Sequence, residues 1–135
     1  MTCRPIVDGK RMPLDERVQN FTFLVDGAPA AWVSLFNFNS RNRAAEFGYG
    51  LVEPLRGRRL GQRMLATAFD HFFATTDLNK LQCRTASFNI PSVRMLESLG
   101  LTRDGVLRAE HELDGELFDE FIYSLLRHEW LERQQ

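Results

Sequence analysis

The sequence predicts one domain of the α+β (mixed α/β) class, and three features carry that expectation. Apolar residues alternate along several short stretches, the spacing of strands. They recur every three or four residues along one longer stretch, the spacing of a helix. Two Asp-Gly pairs separate strand-like runs. Asn20–Asp26 places Phe21, Phe23 and Val25 on one face, and Asp26-Gly27 then supplies the positive-φ pair of a tight hairpin. Ala30–Phe38, rich in aromatic and β-branched residues, is the returning strand. Asn39–Arg43 is a polar turn and Ala44–Val52 a third strand, stopped by Pro54, which cannot donate to a ladder.

The period then changes. Leu60, Met64, Leu65, Ala68, Phe69, Phe72 and Phe73 define one apolar helical face from about Gly61 to Ala74. Leu81–Phe88 returns to strand character. Pro91 suits the first turn of a second helix and Gly100 the position just past its end. Gly105–Leu113 and Leu117–Leu126 are two last strands joined at Asp114-Gly115, and His128–Gln135 is a short terminal helix or tail. The first nineteen residues are weakly patterned and receive no element. The expected order is three strands, helix, strand, helix, two strands, in a single unit spanning residues 1–135.

At 135 residues the chain can bury a real core, and 44% hydrophobic with 26% charged residues is an ordinary globular balance. The formal net charge of −1 creates no global field toward nucleic acid or membrane, and neither is expected as a partner. No apolar run approaches the ~20 residues needed to span a bilayer. Met1–Met12 is polar and basic, without the apolar segment of a signal peptide. Cys3 and Cys83 lack metal-ligand spacing, so they read as free thiols of a cytoplasmic protein, with no metal. Charge is nevertheless uneven: Arg56, Arg58, Arg59 and Arg63 crowd one stretch, while Glu110, Glu112, Asp114, Glu116, Asp119 and Glu120 crowd another. Such a pair suits an anionic cofactor held against a cationic substrate; it equally describes two solvated faces.

The most informative segment is Val52-Glu53-Pro54-Leu55-Arg56-Gly57-Arg58-Arg59-Leu60-Gly61, a basic, glycine-containing turn between a strand and a helix. A helix N-terminus offers unpaired N–H groups and partial positive charge, glycine lets the backbone approach phosphate oxygens, and arginines add charge-assisted hydrogen bonds. The same residues also make a plain strand-to-helix connection. The segment is neither a nucleotide P-loop nor a dinucleotide fingerprint.

Arg56–Gly61 resembles the R/Q-x-x-G-x-G/A pyrophosphate motif of GNAT acetyltransferases, and Ala45-Glu46-Phe47-Gly48-Tyr49-Gly50-Leu51 looks like that family's central strand. Asn89-Ile90-Pro91-Ser92 followed by Leu96-Glu97-Ser98-Leu99-Gly100-Leu101 resembles its second coenzyme segment. Asp104–Arg108 and Asp114-Gly115, with Asp119 and Tyr123, are similar to the C-terminal hairpin of its ribosomal-protein and amino-sugar branches. The likeness runs from about Asn20 to Trp130. It implies a central, mostly antiparallel twisted sheet flanked by helices. It also implies acetyl-CoA as co-substrate, held by Leu51, Val52, Arg56, Gly57, Arg58, Arg59, Leu60, Gly61, Asn89 and Ser92, and an amine acceptor. Arg59 departs from the pattern, standing where the motif has its first glycine. The N-terminal strand and helix pair are shortened, so the acceptor cleft is open or a second subunit, in a homodimer, closes it.

The reaction so implied is attack of a neutral amine on a thioester, which needs an oxyanion donor, a proton acceptor and an exit for the thiolate. Backbone N–H groups freed where Ala44–Val52 splays from Leu81–Phe88 would serve the oxyanion, and Gly48 and Gly50 suit a disturbed strand or the packing of an aromatic neighbour. Glu46 is the first candidate base and His111 the second; each is also explained as an exposed strand residue. A tyrosine that many relatives carry on the second helix is Leu96 here, leaving Ser92 as the candidate donor to sulfur. Asn89 suits a pantetheine contact, a helix cap, or both. The preferred acceptor is a protein or peptide N-terminal amine. An amino sugar or polyamine is the alternative, and a non-catalytic coenzyme-binding domain the reading from another class.

Overall fold

The computed structural model describes residues 3–8, 19–52 and 59–134, the first stretch as backbone alone. Strands β1 (Cys3–Asp8), β2 (Gln19–Val25), β3 (Ala28–Asn39) and β4 (Ala44–Leu51) lead into helix α1 (Leu60–Thr75). Strand β5 (Lys80–Ala86), helix α2 (Ile90–Ser98), strands β6 (Thr102–Leu113) and β7 (Glu116–Leu126) and helix α3 (Arg127–Arg133) complete the order. Seven strands form one sheet in the order β1-β2-β3-β4-β5-β7-β6. Every neighbouring pair is antiparallel except β4 and β5, which the α1 crossover makes parallel.

Both Asp-Gly hairpins form as their chemistry requires, with positive φ at Asp26, Gly27, Asp114 and Gly115. Strand β1 corrects the expectation that the sheet begins near Asn20. It pairs with β2 along its length, from Cys3↔Val25 to Asp8↔Asn20. Pro5 explains why the segment reads poorly, since a proline belongs on a sheet edge, and β1 is the edge strand. The short terminal element is a helix that begins at Arg127.

All three helices pack on one face. Phe21, Phe23, Val33, Leu35, Phe47, Leu81 and Tyr123 from the strands meet Met64, Leu65, Phe69, Phe72 and Phe73 of α1 and Leu96 of α2 in a single core. Burying each such side chain contributes about 1.5–3 kcal/mol. Trp130 of α3 stacks on Phe73 and donates from Nε1 to Asp70 at 2.8 Å. Helix α2 ends in a Schellman arrangement: Leu101 N–H donates to Leu96 C=O and Gly100 N–H to Glu97 C=O, with Gly100 at φ 79°. The opposite face of the sheet carries Trp32, Ser34, Phe36, Glu46 and Arg84, which alternate with the core residues along β3, β4 and β5. No described helix covers it.

Candidate active site

The parallel ladder between β4 and β5 is short. It runs Ala44↔Lys80, Ala45↔Leu81 and Glu46↔Gln82, and stops there although both strands continue. Beyond Glu46, β4 stays paired with β3 and β5 stays paired with β7, so the two diverge into a wedge with Glu46 at its vertex. Main-chain groups of Phe47–Gly50 on that side are left outside any β4–β5 ladder. Such groups demand partners. The glycines of β4 have separate explanations. A Cβ built on Gly50 would lie 1.9 Å from Cζ2 of Trp32, so the indole rests flat on the bare backbone there. At Gly48 a Cβ would meet only Phe36, at an ordinary 3.5 Å.

On the helical side the wedge opens into a cleft of about 620 Å³, walled by β4, the start of α1 and one side of α2. Among residues expected to hold the coenzyme, Leu51, Arg59, Gly61, Asn89 and Ser92 line it together. Val52 is exposed and ties its N–H to Ala30 C=O at 2.9 Å, and Leu60 turns its side chain into the interior. Arg56, Gly57 and Arg58 lie outside the described residues.

The first turn of α1 has the character of an anion site. Its N-cap, Arg59, makes no side-chain capping hydrogen bond and no acidic residue occupies the turn, so among the described residues nothing competes with an anion for its N–H groups and partial positive charge. Arg59 adopts φ 58°, ψ 15°, the left-handed region. That accounts for the glycine usual at this position: the backbone needs positive φ, at about 1–2 kcal/mol for a residue bearing a Cβ. Gly61 is small for a different reason. A Cβ there would lie 2.7 Å from Sδ of Met95, so α1 and α2 approach closely at the cleft wall. On α2, the Asn89 side chain accepts from Ser92 N–H at 3.4 Å as N-cap while also facing the cleft, and Pro91 sits in the first turn.

One cleft residue was missed by reading the sequence. Tyr49 of β4 places its hydroxyl in hydrogen-bond contact with the hydroxyl of Ser92, forty-three positions away in sequence. Burial, outweighing the Ser92 hydrogen bond, pushes the Tyr49 phenol up to about 12, so it keeps its proton throughout the neutral range. The pair therefore presents a protonated donor beside the wedge. Alternation along β4 puts Tyr49 on the helical face, but only a folded α2 brings Ser92 to it. Leu96 is fully buried in the core. Cys83, across the wedge on β5, is pushed up to about 12 by burial and then by Glu46 and Glu120. It remains a thiol at neutral pH and supplies no nucleophile.

Below the vertex, on the open face, the two candidate bases belong to one network. Glu46 Oε1 lies 3.7 Å from Nε of Arg84, whose Nη1 lies 3.7 Å from Oε2 of Glu120. Oε1 of Glu120 is 3.2 Å from Nε2 of His111, which sits edge-on to Phe88. The carboxylates of Glu46 and Glu120 are only 21% and 13% exposed, and a single guanidinium stands between them. Among the described residues no group of three or more His, Cys, Asp or Glu is arranged to hold a metal, and no helix is long and apolar enough to cross a membrane.

A wedge between the fourth and fifth strands, a helix start without a side-chain cap and a second helix capped by asparagine thus border one cleft. The model of the GNAT acetyltransferase domain matches residues 6–102. The chain belongs to the GNAT family. It is 29% identical over 92 residues to the N-acetyltransferase p20 of Bacillus licheniformis, covering 68% of this chain and 52% of that protein. It is 28% identical over 125 residues to YdaF of Bacillus subtilis (strain 168), which bears the name of a ribosomal N-acetyltransferase, covering 93% of this chain and 68% of that one. The chain thus spans about half to two thirds of the length of these GNAT relatives. Its fold is that of the spermidine/spermine N-acetyltransferase SpeG from Vibrio cholerae, with a TM-score of 0.82 at 23% identity over 90% of this chain and 74% of that one.

Proposed function

We propose that this GNAT domain transfers the acetyl group of acetyl-CoA to a primary amine, preferentially the N-terminal amine of a peptide or protein. The observation that carries the proposal is the β4–β5 wedge, open on one side to the cleft at the start of α1 and on the other to the Glu46 network. The cleft fits the coenzyme. The N–H groups at the start of α1, with Arg59, suit the pyrophosphate, and the uncommitted backbone of β4 suits the amide arm. Asn89 and Ser92 line the opposite wall. When bound, acetyl-CoA supplies an acetyl group activated as a thioester.

The residues divide the work between the two sides of the sheet. Glu46, at the vertex, accepts the proton that the attacking amine loses as its C–N bond forms, and Arg84 holds that carboxylate in place. His111 reaches the same network through Glu120 and is the second base. Backbone N–H groups of β4 face the developing oxyanion. As the C–S bond breaks, the sulfur leaves as the coenzyme thiolate, and the Tyr49–Ser92 hydroxyl pair is placed to donate a hydrogen bond to it. In this reading the acetyl group passes directly from the thioester to the amine, and Cys83, which keeps its proton, is not used as a nucleophile.

A peptide α-amine is favoured by chemistry. Its pKa of about 7.7–8.0 leaves a useful neutral fraction at pH 7, against roughly 10.4 for a lysine side chain. The open face imposes no described helical wall, which suits an extended acceptor, and the carboxylates beside it attract cations. A competition assay tests this ordering. Short peptides with free N-termini, spermidine and an amino sugar are offered at equal concentration with acetyl-CoA, and the acetylated peptide is the expected main product. A dominant acetylated sugar or polyamine would overturn the peptide preference. No acetylated amine at all would favour a non-catalytic coenzyme-binding domain.

A further inference from the structure

The open face of β3 and β4 has an unusual surface. Three cross-strand pairs follow one another there: Phe36↔Glu46, Ser34↔Gly48 and Trp32↔Gly50. Gly48 leaves β4 without a side chain between the carboxylate of Glu46 and the indole of Trp32, which covers Gly50, and the Phe36 ring borders the gap. The indole is 49% exposed, yet it is placed rather than loose, since it lies on Gly50 where a single Cβ would collide with it. A strand rises about 3.3 Å per residue, so four residues put Glu46 and Gly50 roughly 13 Å apart. A peptide extended along this floor spans the same distance in about four residues.

Charge and ring point to the same kind of ligand. Two largely buried carboxylates share one guanidinium at 3.7 Å, which leaves negative charge at one end of the floor. At the other end, one face of an indole is available, and indole is the best side-chain partner for a cation above the ring. A fully apolar acceptor would satisfy neither end.

We propose that Trp32 is an acceptor-specificity residue. With the α-amine of an extended peptide at Glu46, its ring takes a cationic side chain at about the fourth position. This inference rests on the acetyl-transfer reading above, and its test separates the two. The probes are a pentapeptide amide with arginine at its fourth position and its all-alanine counterpart, both with free N-termini. Wild type should show a KM for the arginine peptide about threefold to tenfold lower than for the alanine peptide, with similar kcat. Trp32→Ala should erase that difference, and Trp32→Phe should keep part of it. A second readout needs no turnover. In a Trp130→Phe background Trp32 is the only tryptophan, and its emission should change saturably with the arginine peptide but not with the alanine peptide. If Trp32→Ala keeps the full preference, or if Trp32 emission ignores both peptides, the platform is rejected while acetyl transfer stands. If wild type acetylates nothing, the transfer reading fails, and the emission titration alone decides whether the platform binds a cationic peptide.

Discussion

Glu46→Gln is expected to lower kcat about a hundredfold, the lower end of what general bases contribute, while changing the acceptor KM by far less. The asymmetry follows from placement. Glu46 stands at the last β4–β5 pair, where the wedge begins, and the proton it takes is lost only as the new C–N bond forms. Glutamine keeps the shape and one hydrogen-bonding oxygen, so binding and folding should survive. His111→Gln should cost less, because His111 meets the network only through Glu120. Steady-state kinetics from pH 6 to 9 check the assignment. A hundredfold loss in His111→Gln with a small one in Glu46→Gln would exchange the two roles. Near wild-type turnover in both would leave the proton to water.

The second large effect is on stability. Arg127→Met should destabilise the fold by about 2–4 kcal/mol, as expected when charge-assisted hydrogen bonds are removed and their carbonyls left without a donor. The guanidinium of Arg127 donates to three carbonyls at and beyond the C-terminal end of α1: Nη1 to Phe73 at 2.8 Å, Nη2 to Thr76 at 2.7 Å, and Nε to Leu78 at 2.7 Å. It thus satisfies orphan acceptors and places positive charge at the negative end of the helix. It also lies over the Phe73 ring at 5.3 Å, contacts that methionine only partly replaces. Urea unfolding of the two proteins measures the difference. A midpoint shift worth less than about 0.5 kcal/mol would mean that water takes over all three carbonyls.

Local signals made most of the fold legible. Asp26-Gly27 and Asp114-Gly115 encode their hairpins within two residues, and the α1 face repeats over four turns, so neither needs tertiary knowledge. Strand β1 escaped because Pro5 breaks its pattern and leaves only Ile6 and Val7 as a strand-like pair, too short to read as a strand until β2 supplies a partner. In the site, a close match of residue types was enough to bring Leu51, Arg59, Gly61, Asn89 and Ser92 to one cleft. Tyr49 was missed because its meaning depends on Ser92, and Arg127 because its partners lie about fifty residues upstream. Arg84 was missed similarly: nothing local to Cys83–Thr85 shows that Glu46 and Glu120 converge on its guanidinium. Arg59 is the instructive departure. Its backbone takes the left-handed conformation that glycine adopts freely, at a cost in strain for a residue bearing a Cβ.

Binding of acetyl-CoA by the cleft between α1, α2 and β4 is the claim on which the rest depends, and thermal unfolding with and without the coenzyme tests it most directly. A ligand that binds only the folded chain stabilises it by about 2.7 kcal/mol at a hundred times its Kd. Wild type should therefore melt several degrees higher with saturating acetyl-CoA. Gly61→Val should lose most of that gain, because its side chain meets Met95 at the cleft wall. A wild-type melting temperature unmoved by millimolar acetyl-CoA would contradict the account.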